Sequence, residues 1–378
     1  MSEITAAVIG AGLLGSRHAK DLATHPRVRV CGVADRIRER AERVASAAGA
    51  NAYESDTSLL DRERPDVLVV ATPDAFHAEP VRNAVKAGIR RLIIEKPLAT
   101  RLDEAEELAE LFKKEGVTAY VNYANRFLAC ERATRWCTQR RIVGTPVHAE
   151  FRLDDNIGVP TQMWGEESAE WIASSSTAHF LLSHITDLQY YFFAPESITR
   201  VYAVAARRLL KSTPDCYDVL ITWSSDLISR MEAGWIRRMP RLVEAFLSIS
   251  YTAGTIVYNK LPGYRQQLGW RCDLAHDYSS SEINGMAEEL NSLGIPVTIV
   301  REYKQESPIE GSPWALEITE NPSPVAMHLY ADAFLEETDQ PSSWKEWGGL
   351  PDWRDALEAV RVCTAVEQSS RDGGPVDL

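Results

Sequence analysis

Two short stretches hold the residues whose types and spacing can do chemistry. The first is Glu95-Lys96-Pro97, a carboxylate and an amine at the end of the apolar run RLIIE. A lysine at the end of a buried strand presents a cation where alkoxide charge can develop in a water-poor site, the role of an oxyanion hole. The second is TAHFLLSHITDLQYY, residues 177–191, with two histidines and one acid inside an apolar, aromatic run. On a helix, residues three or four apart share a face, so His184, Asp187 and Tyr191 line up, with Phe180 one turn before them. His179, five residues from His184, falls elsewhere. By itself the stretch fits metal ligands, catalytic groups, or a buried helix whose histidine hydrogen-bonds locally. The eight histidines lack ligand spacing with cysteine or acid and HExxH is absent, so no metal is expected. An imidazole with an ordinary pKa of about 6.5 is suited to exchanging protons near neutrality.

Such groups need elements to hold them. ITAAVIGAGLLGSRHAKDLA sets a short apolar run before Gly10, Gly12 and Gly15, and a helical pattern follows through Leu14, His18 and Leu22. A lone GxGxxG is a weak signal, but strand, glycine turn and helix in that order is the context a dinucleotide site requires. Gly10 permits the tight turn, Gly12 lets a pyrophosphate approach the backbone, and Gly15 lets helix and strand pack closely. The phosphates then sit on N–H groups at the helix N-terminus, beside Leu13 and Leu14. The next strand, VRVCGVAD, ends in Asp35, twenty residues after Gly15. A carboxylate there accepts from ribose hydroxyls and repels a 2′-phosphate, which favours NAD over NADP. Arg36 beside it can tolerate a phosphate or lie against the adenine. A Rossmann methyltransferase shares the glycine turn and the acidic strand end, and at this point stays open.

Further βα units follow: DVLVVATP, PVRNAVKAG, RLIIEKP, a helix TRLDEAEELAELFKKEG opened by a Thr100/Asp103 box, and TAYVNY. Their repetition predicts a mainly parallel, doubly wound sheet with its ligand at the carboxyl ends of the strands. The second part of the chain is strand-rich, with runs such as YDVLITWSS, LISRMEAGWI and GTIVYNK and hairpin turns at Ser224-Ser225-Asp226 and Ala253-Gly254. An open antiparallel sheet has a second face to cover, which predicts a homodimer or homotetramer. The ten tryptophans are able to stack on sugar rings, although core and interface duty is the default for each.

Composition narrows the partners. Of 378 residues, 45% are hydrophobic and 25% charged, as in ordinary globular proteins. The net charge of −13 disfavours nucleic acid, and the arginine pairs are scattered rather than gathered into a tract. The six cysteines form no CxxC and read as reduced core residues of a cytosolic protein. No apolar run approaches the roughly 18–20 residues that span a bilayer, and the N-terminus runs straight into a strand pattern. A cytoplasmic protein with neither membrane nor nucleic-acid partner is expected.

VIGAGLLG, VVATPDAFHAEPVRNAVKAG and IIEKPLA, in that order and spacing, resemble the Gfo/Idh/MocA oxidoreductases, the relatives of glucose–fructose oxidoreductase and inositol 2-dehydrogenase. The likeness covers residues 1 to about 125 strongly. Beyond them, IVGTPVHAEFRL resembles the strand that opens the family's second domain, LSHITDL its catalytic helix, and RDALEAVRVCTAVEQSSRDGGPV its closing helix. Residues 262 to about 320 match poorly and read as an elaboration containing the helix SEINGMAEELNSLG.

The resemblance implies an α/β fold, with a Rossmann domain over residues 1–125. A C-terminal α+β domain over 126–378 carries a large, mainly antiparallel open sheet, and its closing helix, about 353–371, packs back near the first domain. It implies that NAD is held by Gly10, Gly12, Leu13, Leu14, Gly15, Asp35 and Arg36, by Thr72, Pro73 and His77 near the nicotinamide, and by Glu95 and Lys96. Lys96 and His184 are implied as catalytic; Tyr123, Arg126, Phe180 and Asp187 as substrate-binding. The chain departs from the family pattern DxGxHxxD at two places, where Phe180 stands for the first aspartate and Leu182 for the glycine. The implied activity is hydride transfer between nicotinamide and a secondary hydroxyl or ketone of a sugar, sugar derivative or cyclitol. Epimerisation or elimination through transient NAD use, and a catalytically silent sensor of nucleotide and sugar, are the alternatives.

Overall fold

Six short apolar runs build the first sheet of the computed structural model, which describes residues 3–163, 165, 168–259, 269–275, 278–301 and 314–378. They are β1 (Ile4–Ile9), β2 (Val28–Ala34), β3 (Asn51–Tyr53), β4 (Val67–Val70), β5 (Arg91–Glu95) and β6 (Thr118–Asn122). All pair in parallel in the order β3-β2-β1-β4-β5-β6. Every residue of β4 is buried, as a parallel strand covered on both faces must be. The strands alternate with α1 (Leu13–Ala23), α2 (Arg38–Ala48), α3 (Asp56–Glu63), α4 (Ala78–Lys86) and α5 (Leu102–Glu115). Strand order reverses between β1 and β4, which puts the ligand crevice of this architecture at the glycine turn after β1. The Thr100/Asp103 box does not form. α5 starts after Arg101 without a side-chain cap, because Asp103 pairs with the Arg101 guanidinium and accepts from the Glu104 N–H at 3.0 Å.

The second unit starts with α6 (Ala129–Gln139), β7 (Pro146–Asn156), α7 (Gly158–Gln162) and α8 (Ser168–Ser174). A π-helical turn, Ala178–Leu182, then leads into α9 (Ser183–Phe193). β8 (Ile198–Ala206), β9 (Cys216–Trp223), β10 (Ile228–Arg237), β11 (Val243–Tyr251), β12 (Gly254–Asn259) and β13 (Gly269–Leu274) follow. Next come α10 (Ser280–Ser292), β14 (Thr298–Arg301) and β15 (Trp314–Ile318). With β16 (Val376–Asp377) these strands make a ten-stranded sheet, antiparallel except where β10 runs beside β7. Both expected hairpin turns are present, between β9 and β10 and between β11 and β12. α10 is the expected helix of the elaboration. It opens on a Ser279/Glu282 capping box and buries Ile283, Ala287 and Leu290, with Met286 half-buried. Other parts of the elaboration, 260–268, 276–277 and 302–313, lie outside the described residues.

α11 (Ala326–Glu336) and α12 (Trp353–Asp372) are the last α-helices among the described residues. The two units are Met1–Ala124 with Pro324–Arg361, and Asn125–Ser323 with Val362–Leu378. The family resemblance implies a second domain running from residue 126 to 378, with only the closing helix packing back near the first. Instead the whole segment Pro324–Arg361 belongs to the first unit. Trp353, Leu357 and Val360 repeat at helical spacing and join Leu108 and Phe112 of α5 in one apolar core, with the Phe112 and Trp353 rings 6.1 Å apart.

Candidate functional site

In the first unit the glycine turn is shaped by what cannot fit there. Gly10 has φ +93°, and a Cβ on it would lie 2.4 Å from the Ala71 carbonyl oxygen. A Cβ on Gly15 would lie 1.7 Å from the Gly10 carbonyl oxygen, so α1 passes closer to the turn than any side chain allows. Gly12 faces open space, with nothing within 4 Å of where its Cβ would stand. It precedes α1 in extended conformation and no side chain caps the helix, so the first N–H groups of α1 are left to an external acceptor. Leu13 and Leu14 on that first turn are exposed. This is a cradle for an anion, and a dinucleotide pyrophosphate fits it.

Asp35, half-buried at the end of β2, braces the same turn. One carboxylate oxygen accepts from the Ala11 N–H at 2.7 Å and the other from the Ile37 N–H at 2.8 Å. A carboxylate has about four lone-pair sites, so capacity for ribose hydroxyls remains. Arg36 is exposed next to it.

The Lys96 turn is held from behind. His77 is buried; its Nδ1 donates to the Pro97 carbonyl at 2.7 Å, and its Nε2 lies 3.0 Å from the Thr72 carbonyl. Thr72 in turn donates its hydroxyl to the Phe76 carbonyl at 2.9 Å. His77 therefore ties the 72–76 loop to the lysine turn through backbone, with Pro73 exposed on that loop. Lys96 itself is buried. Glu95 points inward: its Oε1 accepts from Asn122 Nδ2 at 2.8 Å and lies 2.5 Å from His18 Nε2. Burial opposes ionisation of this carboxyl, but the His18 hydrogen bond and charge, the Asn122 hydrogen bond and the Lys96 charge together hold it below the usual range. His18 and Asn122 were not among the residues expected from the sequence. The available signal was a histidine on the apolar stripe of α1 between Leu14 and Leu22. Tyr123, expected at the substrate, is fully buried in the apolar core of this unit.

The second unit brings other expected residues together. Asp187 on α9 and Arg126 form a buried, two-pronged ion pair, Nε to Oδ2 at 2.8 Å and Nη2 to Oδ1 at 2.5 Å. Arg126 also lies over the Tyr191 ring at 5.1 Å, and Arg135 over the same ring at 4.4 Å. Burial pushes the Tyr191 phenol up to about 12, so it stays neutral there. His184 is half-buried on the first turn of α9.

Phe180 lies in the π-helical turn, where the Ser183 N–H reaches back to the Ala178 carbonyl. The expected uninterrupted α register from Phe180 to His184 is therefore broken by a wider turn, a feature frequent at functional sites. The Phe180 ring packs on Trp171 at 5.0 Å and Trp235 at 5.5 Å, and those two indoles are 5.6 Å apart. The aromatic neighbours were not foreseen, because they come from α8 and β10. His179 is buried on another side, with Nε2 3.9 Å from a Glu367 oxygen. Among the described residues, no group of three or more His, Cys, Asp or Glu is placed to hold a metal ion, and no helix is long and apolar enough to cross a membrane.

Comparison with known proteins adds the following. Residues 4–123 match the model of the oxidoreductase family with an NAD-binding Rossmann fold. The scyllo-inositol 2-dehydrogenase (NAD(+)) of Bacillus subtilis (strain 168) is 32% identical over 127 residues, 33% of this chain and 37% of that protein. The glucose-6-phosphate 3-dehydrogenase of the same organism is 20% identical over 375 residues, 98% of this chain and 97% of that one. The first curated relatives are matched over 37% to 61% of their own length. The crystal structure of an NAD binding oxidoreductase from Klebsiella pneumoniae shares the fold, with a TM-score of 0.74 at 20% identity, covering 100% of this chain and 99% of that one.

Proposed function

From the premise that residues 4–123 belong to the Gfo/Idh/MocA oxidoreductases, we propose that this chain is an NAD-dependent oxidoreductase. Its substrate is a sugar, sugar derivative or cyclitol with a secondary hydroxyl or the matching ketone. The observation that carries the reading is the open face of Gly12 at an uncapped helix N-terminus, with Asp35 at the end of the next strand. Gly10, Gly12, Leu13, Leu14 and Gly15 would hold the pyrophosphate, and Asp35 with Arg36 the adenosine ribose. Thr72, Pro73, Lys96 and the inward-facing Glu95 belong to the nicotinamide end, with His77 acting there through backbone. When bound, NAD supplies the hydride acceptor.

The chain's own residues do the rest. Lys96 provides the cation that stabilises alkoxide charge, and His184 takes the hydroxyl proton. Asp187 is committed to Arg126, so its part is to fix the first turns of α9 rather than to exchange protons. Phe180, braced by Trp171 and Trp235, gives the substrate an apolar surface in place of the family's carboxylate. The substrate is therefore less uniformly hydroxylated than inositol. The names of the two dehydrogenase relatives, one for an inositol and one for a phosphorylated sugar, support this substrate class.

A homo-oligomer and a cytoplasmic location complete the proposal. On one face of β8–β10, Tyr202, Val204, Leu220 and Ile228 are exposed, and a second copy would cover them. All six cysteines are free thiols. The test is cofactor reduction across a panel of polyols, sugars and sugar derivatives, and NADH oxidation with the corresponding ketones, each with product identification. Absence of net turnover in both directions, despite NADH binding, would overturn the dehydrogenase reading.

A further inference from the structure

His18, Glu95 and Asn122 come from three elements of the first unit, α1, β5 and β6, and all three side chains are buried. A carboxylate inside a protein is costly unless hydrogen bonds satisfy it. Glu95 has two, from Asn122 at 2.8 Å and with His18 at 2.5 Å. An ionised carboxylate only accepts, so the proton between it and the imidazole sits on His18 Nε2, and Asn122 turns its amide N–H toward the pair. Asn122 is itself oriented, since its Oδ1 accepts from the Tyr330 hydroxyl at 3.4 Å.

The other nitrogen of His18 gives the decisive detail. Nδ1 is buried and meets no hydrogen-bond partner among the described residues. An unsatisfied buried polar atom is costly, and at this position of α1, on the buried face with Gly15, Ala19 and Leu22, an aliphatic side chain would avoid that cost. The ring's polar service is to Glu95 alone. Glu95 immediately precedes Lys96, and the Lys96 charge is one of the influences acting on its carboxyl. The attraction is mutual.

We propose that His18 and Asn122 are positioning residues that keep the Glu95 carboxylate ionised and turned inward, so that its charge holds Lys96 as an ammonium ion at the carboxyl end of β5. Lys96 is then a charge partner for an alkoxide and not a base. The helix that starts at the glycine turn also reaches the lysine turn, through His18. The titratable groups facing Glu95 are His18 from α1 and Lys96 on its own segment; β6 contributes the neutral Asn122, and α11 the Tyr330 hydroxyl behind it. The assignment deepens the proposed role of Lys96 and rests on it for its consequence in turnover.

The experiment reads the lysine directly, in the full-length protein without substrate. Reductive ¹³C-methylation labels the lysines, Lys96→Arg identifies the Lys96 resonance, and its pH titration is followed by NMR. In Glu95→Gln and His18→Leu the Lys96 midpoint should fall by about one pH unit, the size expected when a neighbouring opposite charge is removed or displaced. His18→Gln, which can restore an N–H donor to Glu95, should stay near the wild type. Asn122→Ser should shift the midpoint in the same direction by less, and serves as the test if Glu95→Gln does not fold. NADH affinity should remain within about threefold in His18→Leu, His18→Gln and Asn122→Ser, because the turn's backbone holds the dinucleotide. A midpoint that stays in place while only thermal stability drops would overturn the assignment and leave the trio structural. Absence of turnover on every substrate would instead strike the proposed function, leaving the titration result standing.

Discussion

The glycine turn after β1 and the 178–191 segment both present the start of a helix, yet they are built of different material. The turn is made of backbone: its defining contacts are a carbonyl 1.7 Å from an imagined Cβ, uncapped N–H groups, and a carboxylate that braces two further N–H groups. The second segment is made of side chains. Asp187 is clasped by Arg126, Phe180 packs against two indoles that also touch each other, and the backbone widens into a π turn between residues 178 and 182. A backbone site is broken by adding atoms and survives most changes of side chain. A side-chain site is broken by removing them.

The comparison makes predictions of decreasing size. His184→Ala should lower kcat by about 10²–10⁴, the usual loss for a general acid–base group, and flatten the pH–rate profile. An unchanged rate and profile would return His184 to the core. Asp187→Leu removes the carboxylate that clasps the buried Arg126 charge, and urea unfolding should show a loss of about 3–5 kcal/mol. The double variant Asp187→Leu with Arg126→Met should recover most of it; if it does not, the ion pair is not what organises α9. Lys96→Met should lower kcat by about 10², with NADH affinity within several-fold, since the proposed site rests most of the dinucleotide on the glycine turn and Asp35. Near-normal turnover would remove Lys96 from the chemistry. Asp35→Ser should narrow the preference for NADH over NADPH in a fluorescence titration while leaving the fold intact. A collapse of NADH binding in this variant would show that the turn depends on this side chain as much as on backbone. His179→Gln should leave kcat and KM unchanged, because that buried ring faces Glu367.

Legibility followed the same division. GAGLLG, Asp35 and EKP could be read because a glycine turn, a strand-end carboxylate and a strand-end lysine are defined by a few residues adjacent in the chain. The alternation of apolar strands with amphipathic helices was equally local, and five of the six parallel strands stand at the apolar runs named from the sequence; β3, a three-residue edge strand without a buried apolar run, does not announce itself. Reading stopped where partners come from distant segments. Nothing near position 187 announces Arg126, sixty-one residues earlier, as the clasp of Asp187. Nothing near position 180 announces Trp235.

By itself, then, the sequence determined the parallel first sheet, its glycine turn, the antiparallel character of the second sheet and the residue types available for chemistry. Hydrophobic period and steric permission at glycine act within a few residues, so a linear chain records them. Only the tertiary structure decided that Pro324–Arg361 returns to the first unit, that Asp103 pairs with Arg101 instead of capping its helix, and that Asp187 is neutralised by Arg126. It alone turned Glu95 inward onto His18 and Asn122, seventy-seven and twenty-seven residues away. Those outcomes depend on which buried charge finds which partner. That choice is made by packing, because the cost of an unpaired charge arises only once water has been excluded.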